Sequence, residues 1–125
     1  MVTVRSAYDF AATLAGLRDA LSRGGLTVFA EIDHAAGARE AGMELPDETV
    51  IVFGNPRAGT PLMRDDPRVG IELPLRMLVW DSGDGTQLGY RDPRDLADSY
   101  HVDGHAQRLA AMASLLESLA TEVAG

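Results

Sequence analysis

Two amphipathic helical patterns lie near the ends of the chain, and strand-like segments fill the middle. In residues 7–23, apolar residues recur at spacings of four, three and four, which is the stripe of a helix that packs on one face. They are Phe10, Leu14, Leu17 and Leu21. A second and clearer pattern covers residues 103–123. Because each stripe needs an apolar partner, helices layered on a sheet are the economical arrangement.

The segment Val50-Ile51-Val52-Phe53 is apolar at every position, so we expect a strand that lies centrally in the sheet. Further strands are predicted at residues 2–5, 26–33, 69–73, 75–81 and 86–91. The predicted order is β-α-β-α-β-(α)-β-β-β-α. It predicts a two-layer α+β sandwich, with helices packed on one face of a mixed β-sheet, and residues 1–125 as a single domain.

Several polar residues are predicted to begin helices. Asp33 is a candidate N-cap for a short Ala-rich helix, and Asp103 is one for the last helix. Thr60-Pro61 has the form of an N-cap followed by a first-turn proline. Pro74 is expected to kink the chain between two strands.

Two residue types are absent, and their absence excludes several reaction classes. Without cysteine, the chain has no thiol nucleophile, no disulfide and no thiolate ligand for zinc or iron–sulfur clusters. All eleven basic residues are arginine, so there is no lysine for a Schiff base or a P-loop. We predict no cofactor.

The net charge of −8 disfavours binding to nucleic acid or anionic lipid. No apolar run approaches the roughly 20 residues that span a bilayer, and the N-terminus lacks the apolar core of a signal peptide. We therefore expect a cytoplasmic protein without nucleic-acid or membrane partners. His101 and His105 have the spacing of a helical metal pair, but no third ligand is evident, so we predict no tightly held transition metal.

Two segments have residues suited to a site. Asp33 beside His34 could orient an imidazole that acts as a general base, although helix capping by Asp33 is the favoured interpretation of the pair. The segment Gly54–Thr60 leads from a strand to a helix start, where backbone N–H groups and Arg57 could hold an anion. The alternative is a tight turn in which Gly59 gives backbone freedom and Thr60 caps the helix.

Arg76 lies within an apolar strand and needs a partner, which is either an anionic ligand or a carboxylate such as Glu72. Trp80 shares its strand face and is interpreted as a core residue. If a pocket exists, we expect it at the strand ends, where the candidate polar residues would converge. These residues are Asp33, His34, Asn55, Thr60 and Arg76.

Three segments together are similar to a known family. They are Ala30-Glu-Ile-Asp-His34, Phe53-Gly-Asn-Pro-Arg-Ala-Gly-Thr-Pro-Leu-Met63, and Glu72-Leu-Pro-Leu-Arg76 with Val79-Trp80-Asp81. The chain resembles the bacterial and archaeal domain-of-unknown-function family 302 (DUF302). The resemblance implies helices on one face of a mixed sheet and a homodimer, and it implies no established activity. Arg57 stands where the family often has lysine, and Asp81-Ser82 where it commonly has an acidic pair.

Three functions agree with these patterns. The first is a non-enzymatic homodimer that binds a small ligand, with an anionic molecule as the candidate, through Asn55, Arg57, Gly59, Thr60 and Arg76. The second is an enzyme in which His34 is the general base and Asp33 orients it. The third is a structural or protein-interaction module without a ligand. The enzyme requires His34 in a concavity, whereas the binder requires only a pocket.

Overall fold

The computed structural model describes residues 1–125. Five strands form one sheet in the order β1-β5-β4-β3-β2. The strands are β1 (Val2–Ser6), β2 (Thr27–Asp33), β3 (Glu48–Gly54), β4 (Leu75–Asp81) and β5 (Thr86–Tyr90). The helices are α1 (Phe10–Arg23), α2 (His34–Glu40), α3 (Pro56–Asp65) and α4 (Ala106–Ala124). The α+β class predicted from the sequence is confirmed.

The sheet differs from the prediction in one respect, because all four strand pairings are antiparallel and none is parallel. The strand predicted at residues 69–73 is also absent. A 3₁₀ helix, Pro67–Ile71, occupies that part of the chain. Asp66 caps this helix by accepting a hydrogen bond from the N–H of Arg68, and Pro67 follows at the first helical position. These two helix-starting residues outweigh the apolar residues that favoured a strand.

Helices α1 and α4 cover one face of the sheet and form the main core with it. Their stripes, as predicted, are the buried residues Leu14, Leu17, Leu21, Leu116, Leu119 and Val123. The sheet contributes Ile51, Phe53, Met77, Val79 and Leu88. A smaller core lies between α3, the 3₁₀ helix Pro67–Ile71, a second 3₁₀ helix at Pro93–Asp98 and the first half of α4. Its members are Leu62, Val69, Leu96, Val102, Leu109 and Met112.

The other face of the sheet carries an apolar stripe that we call the open face. Side chains alternate along a strand, so the partners of the core residues point away from α1 and α4. The open face consists of Ala30, Ile32, Val50, Val52, Leu78 and Trp80, and the charged residues Glu48 and Arg76 lie in register with Trp80 and Val52 at its two ends. Val50 and Val52 are half-buried rather than covered, and β3 is an inner strand beside the central β4.

Trp80 lies on the open face and not in the core. Its ring covers Gly89 of the neighbouring strand β5, where an added Cβ would lie 2.9 Å from the Trp80 Cζ3 atom. This close approach explains why β5 has a glycine in a strand interior.

Two predicted helix starts are wrong, and one is right. The side chain of Asp33 accepts a hydrogen bond from the N–H of Ala36 at 2.8 Å, as expected of the N-cap of α2. Thr60 and Pro61 lie inside α3, because Asn55 caps this helix five residues earlier and Pro56 follows at its first position. Asp103 forms no side-chain cap and belongs to a short 3₁₀ turn before α4.

Candidate functional site

The segment after β3 turns directly into α3. The Asn55 Oδ1 atom accepts a hydrogen bond from the N–H of Arg57 at 3.0 Å. The N–H groups of Ala58 and Gly59 donate to the carbonyl of Asn55 at 2.9 and 3.4 Å. Pro56 has no N–H to offer. The donors that an anion would need at this helix start are therefore already bonded within the chain.

A cavity of about 320 Å³ lies beside this helix start, between the two cores. This volume is at the lower end of the usual range for small-molecule sites. The walls come from the start of α3, the segment before β4, the bulge of β2 and the middle of α4. The larger apolar side chains among them are Leu26, Phe29, Met63, Leu73, Leu75, Met112 and Leu115, with Ala58, Pro56 and Pro74 between them.

Three of the five predicted ligand-binding residues line this cavity, and two do not. Asn55, Gly59 and Thr60 form its α3 wall. Arg57 is exposed and is not among the lining residues. Gly59 is helical and has no positive φ, so its predicted role in giving backbone freedom is wrong. An added Cβ at Gly59 would lie 3.4 Å from Leu73 Cδ1 and 3.8 Å from Met63 Cε, between two residues of the cavity wall.

Arg76 lines a second cavity of about 140 Å³, on the other side of the segment before β4. The expected pairing of Arg76 with Glu72 is not formed. The Glu72 carboxylate instead accepts a hydrogen bond from the Tyr100 hydroxyl at 3.0 Å and lies 3.8 Å from Arg91. Arg76 needs no buried partner, because it is exposed on a strand that has one uncovered face.

Asp33 and His34 lie far from both cavities. In the antiparallel pair of β2 and β3, Gly54 faces Thr27 whereas Asp33 faces Thr49, at the opposite end of the strands. The carboxylate of Asp33 caps α2, no hydrogen bond joins it to His34, and the imidazole is exposed. The predicted convergence of these two residues with Asn55 and Thr60 is therefore wrong, and the contact that a general-base pair needs is absent.

The buried carboxylate of Asp66 joins two segments of the chain beside the smaller core. Asp66, at 4% exposure, accepts hydrogen bonds from the Nε, Nη2 and N–H groups of Arg68 and from the N–H of His101. The Arg68 side chain, followed by the His101 amide, holds the pKa of Asp66 well below its ordinary value. The Arg68 guanidinium also lies 5.9 Å from the centre of the Tyr100 ring. These contacts join the 3₁₀ helix 67–71 to the segment before α4.

His101 and His105, which have the spacing of a helical metal pair, lie in separate surroundings. The Nε2 atom of His105 lies 2.6 Å from the Asp65 carboxylate, at the end of α3. The side chain of His101 is exposed. No three histidine, aspartate or glutamate side chains come together as a metal-ligand set.

Sequence reasoning missed the apolar walls of the larger cavity. Met63, Met112 and Leu115 have the same helical spacing as core residues, so no local pattern separates them from the core. Phe29 lines the cavity next to the irregular register of β2 between Val28 and Ala30. A bulge of this kind has no reliable signal in a single sequence.

The fold is shared with a solved structure, the uncharacterised conserved protein DUF302 from Bacillus stearothermophilus. The two superpose with a TM-score of 0.87 over 98% of this chain and 96% of that one, at 18% sequence identity. At this identity the likeness shows the fold alone.

Curated relatives at higher identity are longer proteins. This chain is 42% identical over 103 residues to the fluoride-specific ion channel FluC 1 of Brucella suis, which covers 82% of the chain and 41% of that protein. The match to FluC 2 of Brucella melitensis has the same identity and covers 38% of that protein. The chain therefore spans about two fifths of the length of these relatives. None of its own helices combines the length and apolar character needed to cross a membrane.

The family comparison agrees with the resemblance seen in the sequence. The model of the family described as domain of unknown function DUF302 matches residues 2–119, which is nearly the whole chain and includes β1 to β5 and most of α4. The chain therefore belongs to the DUF302 family.

Proposed function

We propose that this protein is a non-enzymatic domain that binds a small ligand in the cavity beside α3. The observation that carries the proposal is that the cavity is bounded by Asn55, Gly59 and Thr60 together with apolar side chains from three other parts of the chain. Concave, mostly apolar sites with a few polar groups are the usual form of small-molecule sites. The exposed, unpaired His34 gives no comparable support to an enzyme.

A thermal-shift screen of small acids and neutral compounds tests this proposal. We expect some compounds to raise the Tm of the wild type, because a ligand that binds only the folded state stabilises it. The same compounds should have little effect on Gly59→Leu, whose side chain would enter the cavity between Leu73 and Met63. Ile71→Lys, at a site 77% exposed, is the matched control and should respond as the wild type does. Equal responses of the wild type and Gly59→Leu to every compound would count against the cavity.

We further propose that the domain works as a homodimer joined through the open face. A contiguous apolar surface on a small domain favours association. Ile32, on the edge strand β2, is 47% exposed there. Its apolar neighbours on that face are Ala30 on the same strand and Val50, which lies in register with Ile32 on β3.

A second candidate function is that of an accessory domain for a fluoride channel. The Brucella relatives named as fluoride-specific channels match this chain over about two fifths of their length, and no helix of this chain can cross a membrane. Fluoride transport by those relatives would then depend on the remainder of their sequence, and the matched part would sit outside the bilayer.

Co-elution tests the accessory role. The purified chain would be mixed in detergent with the part of the Brucella suis relative that lies outside the matched segment. If the domain serves the channel, we expect the two to elute together in size-exclusion chromatography. The DUF302 protein from Bacillus stearothermophilus, at 18% identity, is the control with the same fold. Separate elution of this chain and the channel segment would contradict the accessory role.

A further inference from the structure

The walls of the cavity beside α3 carry no charged side chain. Its fourteen lining residues are apolar or glycine except for Asn55 and Thr60. A charged group placed there would lose its hydration without gaining an ion pair, which is costly in an apolar site. The nearest arginine in the sequence, Arg57, is exposed and outside the lining.

The backbone of the α3 start does not compensate for the missing charge. The N–H groups of Arg57, Ala58 and Gly59 all donate to Asn55. None of them is left to bind an oxyanion, which is the usual way in which a helix start holds a negative group.

Two side-chain groups remain available for hydrogen bonding. The Asn55 amide uses its oxygen for the cap of α3, so its NH₂ group is free to donate. The hydroxyl of Thr60 makes no hydrogen bond within the chain and can donate or accept. Both residues line the cavity, so each can form a hydrogen bond with a carbonyl or hydroxyl group of a ligand.

The rest of the wall favours an alkyl or aromatic body. Met63 and Met112 are flexible side chains that adapt to irregular apolar shapes. Phe29 offers an aromatic surface. The volume of about 320 Å³ suits a small molecule rather than a peptide or a long lipid chain.

We propose that the cavity selects an uncharged amphiphile, with an apolar body among Phe29, Met63 and Met112 and a single carbonyl or hydroxyl group on Asn55 and Thr60. This inference rests on the proposed ligand-binding function and specifies the class of ligand.

The test compares 1-octanol with octanoate, which share an alkyl tail and differ in the charge of the head group. Binding is measured by thermal shift and by saturation-transfer NMR on the full chain. We expect 1-octanol to bind the wild type at least about tenfold more tightly than octanoate. Arg57→Ala should leave the binding of 1-octanol unchanged, because Arg57 lies outside the cavity wall.

Two glycine variants link the binding to the cavity. Gly59→Leu should weaken the binding of 1-octanol by about tenfold or more, because the new side chain takes up ligand space. Gly37→Ala, in α2 with no atom within 4 Å of the added Cβ, is the control for a helical glycine replacement and should bind normally. Should Gly59→Leu fail to fold by circular dichroism, Gly59→Ala, whose Cβ lies 3.4 Å from Leu73, should give a smaller loss in the same direction.

Two outcomes would overturn the inference, and they are distinguishable. If octanoate binds as tightly as 1-octanol and loses affinity in Arg57→Ala, the ligand class is wrong while the binding function stands. If neither compound binds the wild type, or both bind Gly59→Leu as well as the wild type, the cavity is not the site and the proposed function fails with it.

Discussion

Phe53→Ala is expected to lower the free energy of unfolding by about 3–5 kcal/mol, the usual cost of removing a buried aromatic ring from a core. Phe53 has no exposed surface and lies in the main core between the sheet and helices α1 and α4. The loss combines two contributions: the favourable free energy of burying the ring is lost, and a cavity is left in the core. Because small domains are stable by only about 5–15 kcal/mol, it is a large fraction of the total.

Urea denaturation followed by circular dichroism measures this effect, with an unchanged m-value as evidence that the denatured state is the same. Val52→Ala, one residue earlier on the half-buried open face, is the matched control and should cost clearly less. Similar losses for the two variants would mean that the helices do not cover the face on which Phe53 lies.

Ile32→Lys is expected to convert the proposed homodimer to a monomer. Ile32 lies on the open face at the edge strand β2. In a symmetric dimer each substitution places two ammonium groups against an apolar surface, and an unpaired charge there is costly. Since Ile32 is 47% exposed in the single chain, the fold of each copy should be unaffected.

Light scattering across a dilution series checks this expectation. The wild type should have twice the mass of one chain at tens of micromolar, and Ile32→Lys should have the mass of one chain. Ile71→Lys changes an isoleucine that is more exposed and lies away from the sheet, so it should remain dimeric. A wild type that is monomeric throughout the series would reject the dimer, and a dimeric Ile32→Lys would place the interface elsewhere.

One part of the cavity wall could be predicted from the sequence, and the rest could not. Gly54–Thr60 is predicted as a site because a strand ends there and a helix begins, and six of its seven residues, all except Arg57, line the larger cavity. The apolar residues that complete the cavity come from β2, the segment before β4 and α4, and they meet only in the folded chain. Met112 is an example, because its helical spacing is that of a core residue and only the position of α3 exposes it to a cavity.

The sequence by itself determined the class of fold and its local elements. The apolar stripes of α1 and α4, the cap at Asp33 and the residues shared with DUF302 depend on neighbours within a few positions, and all of them are found as predicted. These features are local because a helix pattern repeats within a few residues and a cap acts over two or three.

Only the tertiary structure decided which polar residues share a site. Asp33 ends β2 and Asn55 directly follows β3, and in parallel strands those ends would meet at one edge of the sheet. Since β2 and β3 are antiparallel, the same two ends lie at opposite edges, separated by nearly the full strand length at about 3.4 Å per residue. The relative direction of two strands is set by the packing of the whole sheet against its helices. The residues around Asp33 and Asn55 therefore do not indicate whether β2 and β3 are parallel or antiparallel.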